Sequence, residues 1–160
     1  MTLKLREVLA LVSAILVCEL AGAAGSLFTV PNIPTWYALL EKPAIVPPSW
    51  VFAPVWTTLY FLMGIAIFRI WRHHGTALRT RSFYLFALQL ILNVAWSAVF
   101  FGAHALGAAL LVLILLWATI AACIWTFASI DEAAAWLLSP YLAWTTFAGI
   151  LNASLWYLNH

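Results

Sequence analysis

The side chains of this sequence best suited to chemistry are rings and amides rather than acids and bases. Phe52, Trp56 and Tyr60 recur at every fourth position. Gln89, Asn93, Trp96 and Phe100 follow an i, i+4, i+7, i+11 rhythm, and Trp144, Ala148, Leu151 and Leu155 repeat it with Asn152 alongside. That rhythm sets each group on one face of a helix. Polar groups among apolar residues at this density must turn toward protein rather than hydrocarbon. Three such faces turned toward one another enclose a cavity in which rings stack on a flat, apolar ligand and amides orient it. The plainer role of the same residues is to fill and glue a helix bundle. Spacing alone leaves both open.

Other chemistries find no footing. There is no Ser/His/Asp set, carboxylate pair or glycine-rich phosphate loop. His73 and His74 are adjacent, so their side chains diverge and hold no metal. His104 is expected in a turn at the membrane interface. Cys18 and Cys123 stand singly in apolar runs and read as small core fillers. Glu19 is the one ionisable residue deep in an apolar stretch. Its expected roles are a protonated partner to an amide, or a group that takes part in proton or ligand binding.

The elements that must position these residues follow from composition. Hydrophobic residues make up 66% of the 160 and charged residues 8%, with a mean hydropathy of +1.04. A soluble domain carries roughly 45–50% and 25%, and a chain this short could not bury so much apolar surface in water. The bilayer is therefore the solvent. A net charge of only +2 offers no basic field for nucleic acid.

Spans of about 20 apolar residues are needed to cross. Candidates run from about Val8 to Phe28 and from Ser49 to Phe68. Two more lie between Ser82 and Ile130, divided near Gly102-Ala103-His104, and the last runs from Ala133 to Leu158. The expected fold is all-α, an integral membrane five-transmembrane-helix bundle forming a single domain over 1–160. The first span resembles a secretory leader ending at Ala21-Gly22-Ala23, but Glu19 and the apolar run through Phe28 favour a retained helix.

Lys4, Arg6, Arg69, Arg72, Arg79 and Arg81 would share one face and Lys42 the other. In a bacterial cell membrane that asymmetry places the N-terminus in the cytoplasm, with the Trp36–Pro48 loop and His160 across the bilayer. That loop, aromatic and proline-rich, reads as a lid. Pro54 and Pro140 are expected to break helical hydrogen bonds to the carbonyls of Trp50 and Trp136. Ser129-Ile130-Asp131-Glu132 has the spacing of a capping box. Small residues at Ala21, Gly22, Gly25 and Ser26, and again at Ala103 and Gly107, suit close helix contact, within the chain or in a homodimer.

The motifs W-Y-x-x-L-x-K-P-x-x-x-P-P at Trp36–Pro48 and V-W-T-T-L-Y at Val55–Tyr60 resemble the tryptophan-rich sensory protein family, which includes the translocator proteins. Further matches are G-x-x-G at Gly22–Gly25, L-N-x-x-W-x-x-x-F-F at Leu92–Phe101, and P-Y-L-A-W at Pro140–Trp144 with Leu151-Asn152 downstream. The resemblance implies a five-helix bundle, often dimeric, that binds protoporphyrin, haem or drug-like small molecules and needs no obligatory cofactor. It implies a ligand pocket at Tyr37, Pro47, Phe52, Trp56, Tyr60, Asn93, Trp96, Trp144, Ala148 and Leu151. It also implies, for some members, light- and oxygen-dependent breakdown of protoporphyrin at Trp56 and Trp144. The Tyr-Arg ending of the animal sterol pattern is missing after Leu151-Asn152, where A-S-L-W-Y-L-N-H follows. A sterol ligand is therefore disfavoured against a tetrapyrrole.

Overall fold

The computed structural model describes residues 4–74 and 77–160. Helix α1 covers Leu5–Asn32, a one-turn helix α2 covers Trp36–Leu39, and α3 covers Phe52–Arg72 after a 3₁₀ turn at Ser49–Val51. Helix α4 covers Ala77–Ser97 and widens into a π turn at Ala98–Gly102, while α5 covers Leu106–Ala128 and α6 Glu132–Leu158. Five of these helices are long and apolar enough to cross a membrane. Expected and observed spans agree in number and order. The observed helices reach past the expected runs, to Leu5 and Asn32 in α1 and to Arg72 in α3.

The long helices close a ring in the order α1, α3, α6, α5, α4, each packed on two neighbours. Closure demands close approach. Gly22 lies against the Tyr60 ring and Gly25 against Ser97 Oγ, while Gly64 meets the backbone of Ile15 and Gly107 the Trp156 indole. The small residues Gly22, Gly25 and Gly107 thus serve contacts inside the chain.

Ion pairs and hydrogen bonds sort the ends. Arg72 Nε lies 3.3 Å from Glu7, and Arg69 and His73 both reach Asp131, so the N-terminus and the turns after α3 and α5 share one face. On the opposite face Asn159 Nδ2 donates to the Glu41 carbonyl and Asn159 Oδ1 accepts from the Glu41 N–H, each at 2.9 Å. That pair fastens the Trp36–Pro48 loop to the end of α6. Lys42 donates to the carbonyls of Ala38 and Leu40 and sits 5.0 Å over the Tyr37 ring, rather than pairing with Glu41. Trp36 stacks on His104 at 4.3 Å, and His104, at φ 56°, has its Nε2 3.0 Å from Asn32 Oδ1. His tolerates the left-handed region better than most residues, so the turn holds the lid and the end of α1 together.

Two local expectations need correction. Asp131, not Ser129, caps α6: its side chain accepts from the Ala134 N–H at 3.2 Å. The N–H groups of Ile130 and Asp131 bond back to Phe127, and Ser129 donates to Trp125, so Ser129 still belongs to the end of α5. Pro54 falls in the first turn of α3 rather than mid-helix, where a missing N–H costs little. Pro140 is within α6 as expected.

Burial of the Asp131 carboxyl pushes its pKa up, but hydrogen bonds from Arg69, the Ala134 N–H and His73 outweigh it and hold the pKa below the usual carboxylate value. A depressed pKa contributes stability that is present above the unfolded value and lost as pH falls through the folded one. The melting temperature should therefore drop as pH falls from about 5 to about 3, and Asp131→Asn should flatten that drop. A pH profile identical in both proteins would refute it.

Candidate functional site

The half of the ring nearest the lid is lined by rings. Trp56 stacks on Tyr60 at 5.6 Å and meets Tyr141 edge-on at 6.1 Å, while Phe52 meets Trp144 edge-on at 5.9 Å. The i, i+4 spacing of Phe52, Trp56 and Tyr60 makes this possible, because it stacks one residue of each turn above the next. Asn93, at 3% exposure, joins the wall from α4: it accepts from the Tyr60 hydroxyl and donates to the Tyr141 hydroxyl at 2.8 Å. One amide therefore bridges α3, α4 and α6. Gln89, one turn below, is buried with its Nε2 3.8 Å from Met63 Sδ and its Oε1 unbonded.

Trp96 is half-buried and donates to Asn152 Oδ1 at 3.1 Å, and Asn152 Nδ2 donates to the Leu106 carbonyl at 2.8 Å. Through Trp96 the aromatic wall continues into a second cluster of Phe100, Phe101, Leu106 and Leu155 under the lid. The π turn matters here, since its Ala103-to-Ala98 hydrogen bond at 2.8 Å adds a residue to one turn, and Phe100 and Phe101 both point inward. Tyr37 caps that cluster, 5.8 Å from Phe101. Its burial pushes the phenol pKa up, so it is uncharged at neutral pH.

Between α3 and α6 the ring surface opens as an apolar groove of about 820 Å³, walled by Pro47, Pro54, Leu59, Pro140, Trp144 and Phe147 among others. Trp144 belongs both to this wall and to the ring contacts within. Of the residues expected in a pocket, Trp56, Tyr60 and Asn93 are joined by a ring contact and a hydrogen bond, and Phe52 and Trp144 by a separate edge contact, while Trp96 belongs with Asn152 and Phe100. Pro47 lines the groove, Ala148 packs at the edge of the core, and Leu151 is buried. Tyr37 sits apart, at the lid. Tyr141 was not singled out from the sequence, although it precedes Trp144 by three residues and so shares its face.

Glu19 is half-buried on α1, and no described residue hydrogen-bonds its carboxyl. The amides that could pair with it are engaged elsewhere or packed on Met63. No group of three or more His, Cys, Asp or Glu residues is placed to hold a metal among the described residues. His73 turns to Asp131 and His74 to the Trp71 ring.

Comparison with known proteins agrees with this architecture. The model of the TspO/MBR family matches residues 14–158. Protein CrtK of Rhodobacter capsulatus is 40% identical over 146 residues, covering 89% of this chain and 88% of its own. Tryptophan-rich protein TspO of Chlorobaculum tepidum is 39% identical over 158 residues, covering 96% of this chain and 98% of its own. The translocator protein of Homo sapiens is 42% identical over 127 residues, covering 78% of this chain and 75% of its own. With its five apolar spans and a family match over nearly its whole length, the chain is a membrane protein that belongs to the TspO/MBR family.

Proposed function

We propose that this protein binds a tetrapyrrole, protoporphyrin or haem, against the aromatic half of the bundle and acts in sensing, sequestering or transporting it. The observation that carries this reading is the double position of Trp144, in the wall of a membrane-facing groove and in edge contact with Phe52. A flat macrocycle partitions into the bilayer and could reach such a groove from the side. The groove volume of about 820 Å³ lies within the roughly 300–1,000 Å³ of small-molecule sites. Indoles supply stacking area, and the ring surfaces exceed what interfacial anchoring would need. The names translocator protein and tryptophan-rich sensory protein, carried by relatives, fit transport and sensing.

Titration of the purified protein with protoporphyrin in the dark should quench tryptophan fluorescence saturably, near one ligand per chain. Trp144→Phe keeps a ring but loses the larger stacking surface, and should weaken binding roughly tenfold, about 1.4 kcal/mol. Weak, non-saturating quenching that is the same in both proteins would overturn the reading. Illumination of the saturated complex then separates binding from breakdown. A new product that disappears in Trp56→Phe, with binding retained, would make the protein a catalyst of porphyrin degradation.

A further inference from the structure

On the face that carries the N-terminus, the end of α3 and the start of α6 surround a second hollow of about 500 Å³, walled by Arg69, Arg72, His73, Ile130 and Asp131. None of these residues belongs to the aromatic site. Donors here outnumber acceptors, because each guanidinium carries five N–H groups. Arg69 gives Nη2 to Asp131 at 3.0 Å, while its Nε is buried without a hydrogen bond. Arg72 forms an ion pair with Glu7, Nε to Oε1 at 3.3 Å, and its two terminal nitrogens make no hydrogen bond among the described residues. The Asp131 carboxylate is already shared among Arg69, His73 and the Ala134 N–H. A buried donor without a partner is unfavourable, so an added acceptor is stabilising.

We infer that this hollow binds a phosphate group, and that its source is the headgroup of an anionic phospholipid. Guanidinium forks match phosphate oxygens in geometry as well as charge. The depth fits too: Arg69 and Arg72 lie in the last turn of α3, and Ile130 and Asp131 immediately precede α6. That is where apolar spans give way to headgroups, and basic pockets between membrane helices suit anionic lipids. Ile130 offers the apolar contact that a glycerol or upper acyl carbon needs. Lys4, Arg6, Arg79 and Arg81 share the face and add attraction of the same sign. A free phosphate would meet the same donors but would lack the apolar contact.

Native mass spectrometry and thermal melting of the full chain in detergent test this with phosphatidylglycerol, phosphatidylcholine or inorganic phosphate added. One phosphatidylglycerol should be retained per chain and raise the melting temperature, and phosphatidylcholine should do so far less. Retention should fall roughly tenfold in Arg72→Gln, the loss of one charge-assisted contact. Glu7→Gln breaks the same ion pair yet keeps Arg72, so it should retain the lipid and separates binding from folding. Stabilisation by inorganic phosphate that Arg72→Gln abolishes would support the phosphate site while giving it a free anion as its source. Equal retention of both lipids, or retention unchanged in Arg72→Gln with no response to phosphate, would overturn the inference. Neither result touches the tetrapyrrole site, whose test is read on Trp144.

Discussion

Gly64→Ala is expected to destabilise the bundle by about 3 kcal/mol, the upper end of what overpacking costs. A methyl group at this position would stand 2.6 Å from Ile15 Cα, 2.8 Å from Ile15 Cγ1 and 2.9 Å from Ile15 N. The nearest obstacle is backbone, so no rotamer change relieves it and α1 must move away from α3. In lipid, helix association rests largely on this close packing, because hydrocarbon solvates separated helices as well as a partner does. Ile15→Ala should not rescue the variant, since Cα and N remain. Gly22→Ala provides the contrast: its methyl would meet only carbons of the Tyr60 ring. In a double-mutant cycle Gly22→Ala should therefore cost less in a Tyr60→Ala background than in the parent, even though Tyr60→Ala is itself destabilising. Unfolding in mixed micelles, followed by far-UV circular dichroism, reads all of these. A Gly64→Ala protein within about 0.5 kcal/mol of the parent, the range of an ordinary surface change, would refute the close contact.

The contrast between Gly22 and Gly64 shows where reading a sequence stops. Five spans were legible because hydropathy is summed over about 20 residues, and no local detail can reverse such a sum. The inward faces of Gln89, Asn93 and Asn152 were legible because hydrocarbon rejects amides. G-x-x-G at Gly22–Gly25 announced a close contact, but the partner depends on how far one helix slides along another. Gly64, with the most obstructive backbone contact, stands in no motif at all. The π turn at Ala98–Gly102 left no mark either, and it is where both Phe100 and Phe101 turn inward. At the start of α6 the capping box read from Ser129 gave way to a cap at Asp131, a residue that also accepts hydrogen bonds from Arg69 and His73 far away in the chain. The candidate site divides in the same way. Its stripes could be drawn from periodicity, whereas the role of Tyr141 and the groove between α3 and α6 required the helices in place.

Asn93→Leu is expected to cost about 2–4 kcal/mol, more than the loss of an average hydrogen bond within a membrane. Among the described residues its amide is the one hydrogen-bond partner of both the Tyr60 and Tyr141 hydroxyls, and those side chains are 6% and 1% exposed. Leucine would leave two phenols without partners in a setting where water cannot replace the amide, and each stranded hydroxyl carries its own desolvation cost. The asymmetry supplies the test. Removing all three polar groups at once, in Tyr60→Phe/Asn93→Leu/Tyr141→Phe, should restore most of the stability, because nothing is then left unsatisfied. Function should respond differently. Trp56 packs on both tyrosine rings, and phenylalanine keeps those rings while losing the hydrogen bonds that fix their angle. The triple variant should therefore unfold near the parent's midpoint yet bind protoporphyrin more weakly. If Asn93→Leu alone unfolds at the parent's midpoint, the bridge is not what joins α3, α4 and α6. If the triple variant is no more stable than Asn93→Leu, leucine's shape rather than the stranded hydroxyls is responsible.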